Sequence, residues 1–283
     1  MKNVTPQFFQ SLVKATTLML ANCLFLFSCE VHTPEPDIDV VAEAYSVTGK
    51  VVDTKGAPMA GVKVRADNSA LYGSTEVTTD EQGRYKLPKL EIGSWKVYAW
   101  KEVNYKGKTY HLRLGMPAAA DYDAFSPGKG GAVKNFNWQL SGQIPDRPRN
   151  ERSGSGYFGG TLLFRNLGLD ASTMAAGTVV TVTLTPVAGA TLFDGSAPSV
   201  IRKSFTIEEG EYNYWVHDIA QCEYRITAEA KLNGASRAVQ LSKSVSSGHA
   251  AAIEGFYFKP HLGSSGDYEN GLLTTNDEPI FIY

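Results

Sequence analysis

Short runs of alternating apolar and polar residues recur along the chain. This pattern is typical of β-strands with one buried and one solvated face. The clearest runs lie at 46–53, 61–66, 85–87, 95–99 and 178–184. Turn signals separate them, as at Asp80–Gly83, where Asp can bond its own backbone and Gly tolerates a positive φ. The pattern predicts an all-β fold of antiparallel β-sandwiches.

The second half of the chain repeats the pattern of the first half. A constant offset takes Tyr85 to Tyr214 and Trp95 to Tyr224. We therefore predict two tandem β-sandwiches of similar topology. The predicted segments are a first sandwich at 45–141, a linker at 142–156, a second sandwich at 157–262 and a polar tail at 263–283. The last residues of the tail, Pro279–Tyr283, either add a strand or stay free.

The N-terminal residues have the features of an export signal. Lys2 and Lys14 precede an apolar run at 18–28 that is too short to span a bilayer comfortably. The residues Leu26–Cys29 resemble the lipobox of bacterial lipoproteins. Cys23 is a rival position, and an ordinary signal peptide cut nearby is the plainer alternative.

This pattern predicts a lipid anchor. We expect a signal peptide at 1–28, lipidation at Cys29 and an extended acidic tether at 29–44. The acidic residues after Cys29 loosely resemble the surface-export signal of Bacteroidetes lipoproteins. The expected location is the bacterial cell envelope, at the outer membrane, facing either the periplasm or the cell surface.

A series of short motifs in the first predicted sandwich resembles a known family. The motifs are Val47–Asp53, Gly56–Pro58, Gly61–Val64, Thr79 and Asp80 with Gly83–Tyr85, and Leu90 with Gly93. The series is similar to the carboxypeptidase regulatory-like domain, a transthyretin-like β-sandwich common in secreted bacterial proteins. The resemblance implies an accessory domain without catalytic residues. With the repeat, it also implies a second transthyretin-like or Ig-like sandwich.

Charge and cysteine content exclude some partners and cross-links. The net charge is −2, from 27 basic and 29 acidic residues, so the chain lacks the basic footprint of a nucleic-acid-binding protein. If Cys23 is removed and Cys29 is lipidated, only Cys222 remains. We therefore expect no internal disulfide and a structural role for Cys222.

Motifs for catalysis or cofactor binding are weak. Gly154, Gly156 and Gly159 spell G-x-G-x-x-G, but a charged linker precedes them and a strand-like segment follows, whereas a nucleotide site needs a strand and then a helix. The histidines lack metal-ligand spacing, and His217-Asp218 fits a surface turn better than a catalytic dyad. We predict no cofactor, no metal and no enzymatic activity.

Aromatic residues give the strongest candidates for a binding surface. Trp100 lies on the face opposite the buried one if the alternation holds, and the long loop 115–131 is of a length that is often functional. Exposed rings can stack on sugars or anchor a protein. The candidates are Trp100, Tyr105, Tyr110, Tyr122 and Phe125. Alternatively, these rings fill the second sheet face or pack against the other sandwich.

These observations favour a non-catalytic envelope lipoprotein that acts as a binding or accessory module, with carbohydrate as the first candidate ligand. The alternative is a structural or adhesion subunit of a surface complex, similar to a pilus anchor. An accessory to a peptidase is a more distant alternative. The expected partners are the membrane, through the lipid on Cys29, and a glycan or an envelope protein.

Overall fold

The computed structural model describes residues 41–68, 73–147, 156–167, 173–246, 248–261, 275–276 and 279–283. All of them belong to one compact unit, residues 40–283. The predicted signal peptide, Cys29 and most of the tether lie outside the described residues. So do residues 148–155 of the predicted linker and most of the predicted tail.

The first sandwich is built from two facing sheets. Its strands are β1 (Val47–Val52), β2 (Lys63–Asn68), β3 (Gly73–Thr78), β4 (Arg84–Lys86), β5 (Trp95–Tyr105), β6 (Lys108–Arg113), β7 (Ala132–Val133) and β8 (Phe136–Asn137). One sheet has the antiparallel order β3-β2-β5-β6. In the other sheet β4 pairs antiparallel with β1, and β7 and β8 pair parallel with β1. A 3₁₀ turn, Ala119–Tyr122, lies in the loop after β6.

The second sandwich follows the same plan. Its strands are β9 (Gly160–Arg165), β10 (Val179–Pro186), β11 (Ile201–Thr206), β12 (Asn213–Ile219), β13 (Tyr224–Leu232), β14 (Ala235–Val239), β15 (Leu241–Ser242), β16 (Ile253–Phe256), β17 (Lys259–Pro260), β18 (Thr275–Asn276) and β19 (Pro279–Ile282). One sheet has the order β11-β10-β13-β14, with β16 also on β13, and the other has β12-β9-β19-β15. Strands β17 and β18 form a separate pair.

The topology confirms the predicted repeat. The order β3-β2-β5-β6 corresponds to β11-β10-β13-β14, and the pair β4-β1 corresponds to β12-β9. Trp95 and Tyr224, which the sequence offset relates, each begin the central strand of their sheet. The predicted class of antiparallel β-sandwiches is confirmed, with three parallel pairs in addition: β7, β8 and β19 run parallel to the first strand of their sandwich.

Alternation explains how β2 and β1 contribute to the first core. In β2, Val64 and Ala66 are fully buried between the sheets, while Lys63 and Arg65 are only partly buried on the other side. In β1, Gly49 packs directly on the backbone of Lys134: an added Cβ would lie 1.9 Å from that carbonyl oxygen. Close approach of these two segments therefore requires glycine at this position.

Strand β19 completes the second sandwich. It lies between β9 and β15, and Ile280 and Ile282 are 0% exposed in the core. Of the two alternatives for Pro279–Tyr283, the structure therefore shows the added strand. The second sandwich accordingly extends beyond residue 262, where the sequence pattern placed its end.

Candidate functional site

The predicted aromatic platform does not form. Trp100, Tyr110 and Tyr122 are 1%, 0% and 3% exposed, and Tyr105 and Phe125 are partly buried. The expectation of exposed rings is wrong for the first three, because other segments of the chain cover them. Alternation correctly directs Trp100 away from the first core, but that second face is covered as well. Whether any of the five residues contacts a ligand stays a prediction.

Tyr105 and Tyr110 pack against the second sandwich. The Tyr110 ring centroid lies 4.7 Å from that of Phe193, and the Tyr105 centroid lies 5.0 Å from it. The Tyr110 hydroxyl donates a hydrogen bond to the backbone carbonyl of Phe258. Leu112 joins the same apolar cluster. The alternative of packing against the other sandwich is thus confirmed for these two rings, and we call this interface the inter-sandwich seam.

Polar contacts surround the apolar centre of the seam. The Thr54 hydroxyl donates to the Asp194 carboxylate at 2.6 Å, and Lys106 pairs with Glu223 at 2.5 Å. Burial raises the pKa of Asp194, but hydrogen bonds from Ser196 and Thr54 outweigh that effect and leave the pKa below its ordinary value. The seam therefore combines a buried aromatic centre with a charged and hydrogen-bonded rim.

The connection between the sandwiches adds a further contact. The backbone N–H of Gly142 donates to the Asp218 carboxylate at 2.7 Å. Asp218 has a φ of 60° at a bulge in β12, between Val216 and Ile219. The bulge directs the carboxylate toward the chain that leaves the first sandwich. His217-Asp218 thus lies at an irregular strand end, not in the surface turn that the sequence suggested.

Trp100 lies beside a buried ion pair. Its register partner on β6 is Arg113, which is 2% exposed in its side chain and lies 3.1 Å from the Asp146 carboxylate. The guanidinium carbon sits 5.3 Å from the Tyr98 ring centroid and 5.7 Å from that of Tyr122. Burial lowers the pKa of Arg113 and the Asp146 charge opposes this shift. The pair fixes the segment after β8 over the outer face of the first sandwich.

Phe125 lies apart from the other four rings. Its backbone forms a bridge with Trp95, and the Lys134 ammonium lies 5.1 Å from its ring centroid. The five predicted binding residues therefore divide between the seam, the Arg113 ion pair and the Phe125 bridge. They do not line a common concave surface.

The weak catalytic and cofactor motifs have structural explanations. Gly156 and Gly159 lead into strand β9 and not into a helix, so the glycine motif lacks the helix N-terminus that a phosphate site uses. Cys222 is buried in a bend, and burial raises the pKa of its thiol. Among the described residues no group of three or more His, Cys, Asp or Glu could hold a metal ion. The described part also contains no helix long and apolar enough to cross a membrane.

Two concave surfaces flank β14. One is an apolar groove of about 460 Å³, which we call the Met174 groove; it is lined by Thr173, Met174, Ala175, Thr178, Ala230, Leu232, Ala235, Ser236, Arg237 and Tyr283. The other is a polar concavity of about 480 Å³, which we call the threonine face; it is lined by Thr181, Thr183, Arg202, Thr227, Ala228, Glu229, Ser236, Arg237 and Ala238. Ser236 and Arg237 border both surfaces.

Strand β14 is an exposed edge. In the described part of the chain it ends its sheet and pairs along its length with β13 alone. Ala235, Ser236, Arg237 and Ala238 are all exposed. The Arg237 guanidinium donates to the carbonyl of Tyr283 at 3.2 Å. We refer to residues 235–238 as the β14 edge and take it as the candidate functional site.

The sequence analysis missed the β14 edge. The alternating Thr181, Thr183 and Thr185 in β10 signal a polar outer face, and the small residues of β14 signal an edge without bulky protection. Neither signal shows how β14 is placed in its sheet. Its position at the edge of the described strands follows from the strand order, which only the fold reveals.

Comparisons with solved structures give distant similarities. A streptococcal ancillary pilin is 10% identical with a TM-score of 0.23, and the match covers 71% of this chain and 59% of the pilin. Fervidolysin from Fervidobacterium pennivorans, a keratinolytic enzyme related to subtilisin, is 11% identical with a TM-score of 0.25, covering 70% of this chain and 28% of fervidolysin. A major pilin from Streptococcus pyogenes is 11% identical with a TM-score of 0.25, covering 86% and 98% of the two chains. Similarity at this level carries no argument about function.

The family comparison concerns the first sandwich. No curated protein sequence matches the chain. Residues 46–124 match the family model of the carboxypeptidase regulatory-like domain. The matched range runs from the residue before β1 through the 3₁₀ turn that carries Tyr122. The resemblance that the motifs indicated is therefore confirmed, and residues 46–124 are identified as a carboxypeptidase regulatory-like domain.

Proposed function

We propose that this chain is a non-catalytic structural or assembly subunit of the bacterial cell envelope, in which two β-sandwiches are held as one rigid body. The observation that carries the proposal is the inter-sandwich seam. Two of the five aromatic residues that first suggested a ligand surface, Tyr105 and Tyr110, join the sandwiches there. The match of residues 46–124 to a regulatory-like domain also supports an accessory role.

The seam has the composition of a stable interface. Domains in one chain move relative to each other by default unless their interface is large and apolar. Here Tyr110 is fully buried and its hydroxyl has a partner on the second sandwich. Burying one such ring contributes about 1.5–3 kcal/mol, and each aromatic pair adds about 0.5–1.5 kcal/mol. Several rings together favour a fixed orientation over free bending.

The seam and the β14 edge lie at opposite ends of the second sandwich. Glu223, a seam residue, immediately precedes β13, whereas β14 begins opposite Leu232, where β13 ends. Nine residues of β-strand separate these ends by roughly 25–30 Å. A rigid seam would therefore hold the β14 edge at a defined distance from the first sandwich. This arrangement suits a spacer that presents a contact surface.

The envelope location in this proposal rests on the lipobox-like residues Leu26–Cys29. Carbohydrate binding through the aromatic residues is not part of it, because Trp100, Tyr110 and Tyr122 are buried. We therefore favour the alternative function from the sequence analysis, a structural subunit of a surface complex. The anchor and the partner remain predictions.

Small-angle scattering on the chain from Val40 onward tests the rigid arrangement. We expect a scattering curve that one conformation fits. Phe193→Ala removes the ring that touches both Tyr105 and Tyr110, and should increase the maximum dimension and require several conformations. Tyr212→Ala, at a residue that is 49% exposed and not part of the seam, is the matched control. Equal flexibility of the wild type and Phe193→Ala would contradict the proposal.

A further inference from the structure

We propose that the β14 edge is a docking site for an extended polypeptide, which adds as an antiparallel strand and places an acidic side chain opposite Arg237. The inference deepens the proposed function and rests on it, because it states the chemical class of the assembly partner. Backbone pairing would supply affinity, and the side-chain position opposite Arg237 would supply selectivity.

Among the residues that the structure describes, the backbone groups of β14 that face away from β13 have no strand partner, and they follow a defined pattern. Asn233 and Gly234, with φ of 49° and 84°, form a two-residue hairpin between Leu232 and Ala235. Such a turn makes its flanking residues a hydrogen-bonded pair, and pairs alternate along an antiparallel ladder. The N–H and C=O groups of Ser236 therefore point away from β13. Those of Ala238, two residues later, do the same.

Just after β14, the same side of the chain already pairs with another strand. Gln240 exchanges two backbone hydrogen bonds with Tyr283, at 3.2 and 3.0 Å, and Leu241 then pairs with Ile282 of β19. A strand added in line with β19 would keep this register and meet Ala238 and Ser236 next. The proposed site thus continues an existing strand pairing, and its direction, antiparallel to β14, follows from that pairing.

Side chains then specify the partner. Arg237 is the register partner of Ala230, a buried core residue, so it lies on the side of the Met174 groove. A residue directly opposite Arg237 would share that side, where a carboxylate forms a favourable cross-strand pair. Residues opposite Ser236 and Ala238 would lie over the threonine face, which suits short polar side chains. The partner is therefore an acidic strand with apolar residues on the groove side.

A second copy of β14 fits this edge poorly. Two β14 strands paired antiparallel around their centre would bring Arg237 of one copy opposite or diagonal to Arg237 of the other. Like charges at such positions are destabilising. Charge complementarity thus favours an acidic partner strand over self-pairing.

The register allows a direct test in which the chain carries its own model strand. Protein starting at Val40 is extended after Tyr283 by Val-Thr-Asp-Thr-Val, which places the two threonines opposite Ala238 and Ser236 and the aspartate opposite Arg237. Amide hydrogen exchange at Ser236 and Ala238, whose N–H groups face the added strand, should slow by about tenfold or more. A matched extension with Lys for Asp should protect less. An extension with Pro for both Thr should not protect, because proline cannot donate to the ladder.

Docking in trans is measured with the free peptide Ser-Val-Thr-Asp-Thr-Val-Ser carrying fluorescein. It should bind the unextended protein in an anisotropy titration and should not bind the extended one. Protection that is equal for the Asp and Lys extensions would overturn the acidic partner. Absence of both protection and peptide binding would overturn the docking site. A dimer of unextended protein that Ser236→Pro abolishes would replace the partner by a second copy and also overturn it.

Failure of this inference is distinguishable from failure of the proposed function. The seam experiment measures bending between the sandwiches and involves Phe193, whereas these measurements concern the β14 edge. A rigid protein that does not accept the strand would leave the spacer role intact. Phe193→Ala should accept the strand as the wild type does, because Phe193 belongs to the seam.

Discussion

At the scale of the residue, Arg113 shows how one buried charge fixes a neighbouring segment. Its guanidinium lies close to the rings of Tyr98 and Tyr122 and pairs with Asp146. Because both side chains are almost fully buried, removal of one leaves an uncompensated charge in a medium of low polarity. The pair should therefore matter more to stability than the exposed ion pairs of the chain.

We expect Asp146→Ala to lower the free energy of unfolding by about 3–5 kcal/mol. Glu254→Ala is the matched control, because Glu254 pairs with Arg225 at the exposed surface; that change should cost at most about 1 kcal/mol. Urea denaturation followed by tryptophan fluorescence measures both. Equal losses of unfolding free energy in the two variants would show that other groups compensate the charge of Arg113 when Asp146 is removed.

Gly49→Ala should destabilise the first sandwich by at least about 1–3 kcal/mol, as overpacking does. The added methyl group would overlap the Lys134 carbonyl and approach Cε1 of Tyr85 to 2.6 Å. Gly130→Ala is the control, because an added Cβ there meets nothing within 4 Å. Thermal unfolding of both variants decides the point, and an unchanged melting temperature for Gly49→Ala would refute the packing argument.

The alternation pattern predicted on which face of a strand a side chain lies better than it predicted whether that side chain is buried. Alternation placed Trp100 on the face away from the first core, and the structure agrees. It did not show that this face is covered, because the covering residues, such as Asp146, lie far along the chain. Burial on a second face depends on tertiary contacts, which period-2 patterns do not encode.

At the scale of the element, β19 completes the second sandwich and lies in line with the β14 edge. It pairs in parallel with β9 on one side and antiparallel with β15 on the other. Its end contacts Gln240, next to the exposed residues of β14. One four-residue strand therefore borders both the closed core and the exposed edge.

Ile280→Ala should cost about 2–5 kcal/mol, as truncation of a fully buried side chain does. Because Ile280 belongs to the core of the second sandwich, hydrogen exchange should increase in β9 and β15 before it increases in β2. Val200→Ala, at an exposed apolar residue, is the control. A uniform increase across both sandwiches would contradict local opening of the second one.

The sequence predicted the strands that alternate strongly, and it left β19 undecided. The four apolar-rich residues of β19 follow a long polar stretch and have no alternating partner pattern of their own. The parallel pairs were also missed, because a short strand does not reveal whether it enters a sheet from the same or the opposite direction. The pairing of such short strands depends on the neighbouring strands of the folded sheet and not on their own sequence pattern.

At the scale of the whole molecule, the seam joins two sandwiches that the sequence treats as separate repeats. Its residues come from β5, β6 and a loop of the first sandwich, and from the loops after β10 and β16 of the second. The sequence pattern singled out the tyrosines of the seam, but it did not identify Phe193 as their partner. An interface between domains has no periodicity that would connect its two halves.

Asp194 gives the seam a pH dependence with a definite sign. Its pKa is lower in the folded protein than the ordinary value of 3.8, so its contribution is complete above that value and is lost as the pH falls through the folded pKa. Wild type should therefore exceed Asp194→Asn in stability at pH 6, and the difference should shrink toward pH 2. Urea titrations between these values measure it.

Thr54→Val provides the internal control for this prediction, because it removes the hydroxyl that donates to Asp194 from the other sandwich. Thr54→Val should be less stable than the wild type at pH 6, and this difference should also become small at low pH. A stability difference between wild type and Asp194→Asn that grows as the pH falls would reverse the assigned sign.

The parallel pairing of β19 with β9 also has a consequence for the order in which the chain acquires its structure during synthesis. The first sandwich is closed by β7 and β8, at 132–137, soon after its other strands have emerged. The second sandwich must keep the side of β9 open until residues 279–282 have been made. Long-range pairing of this kind is slow and leaves strand edges exposed in the meantime. A ribosome stalled before residue 279 should therefore carry a protease-resistant first half and a protease-sensitive second half.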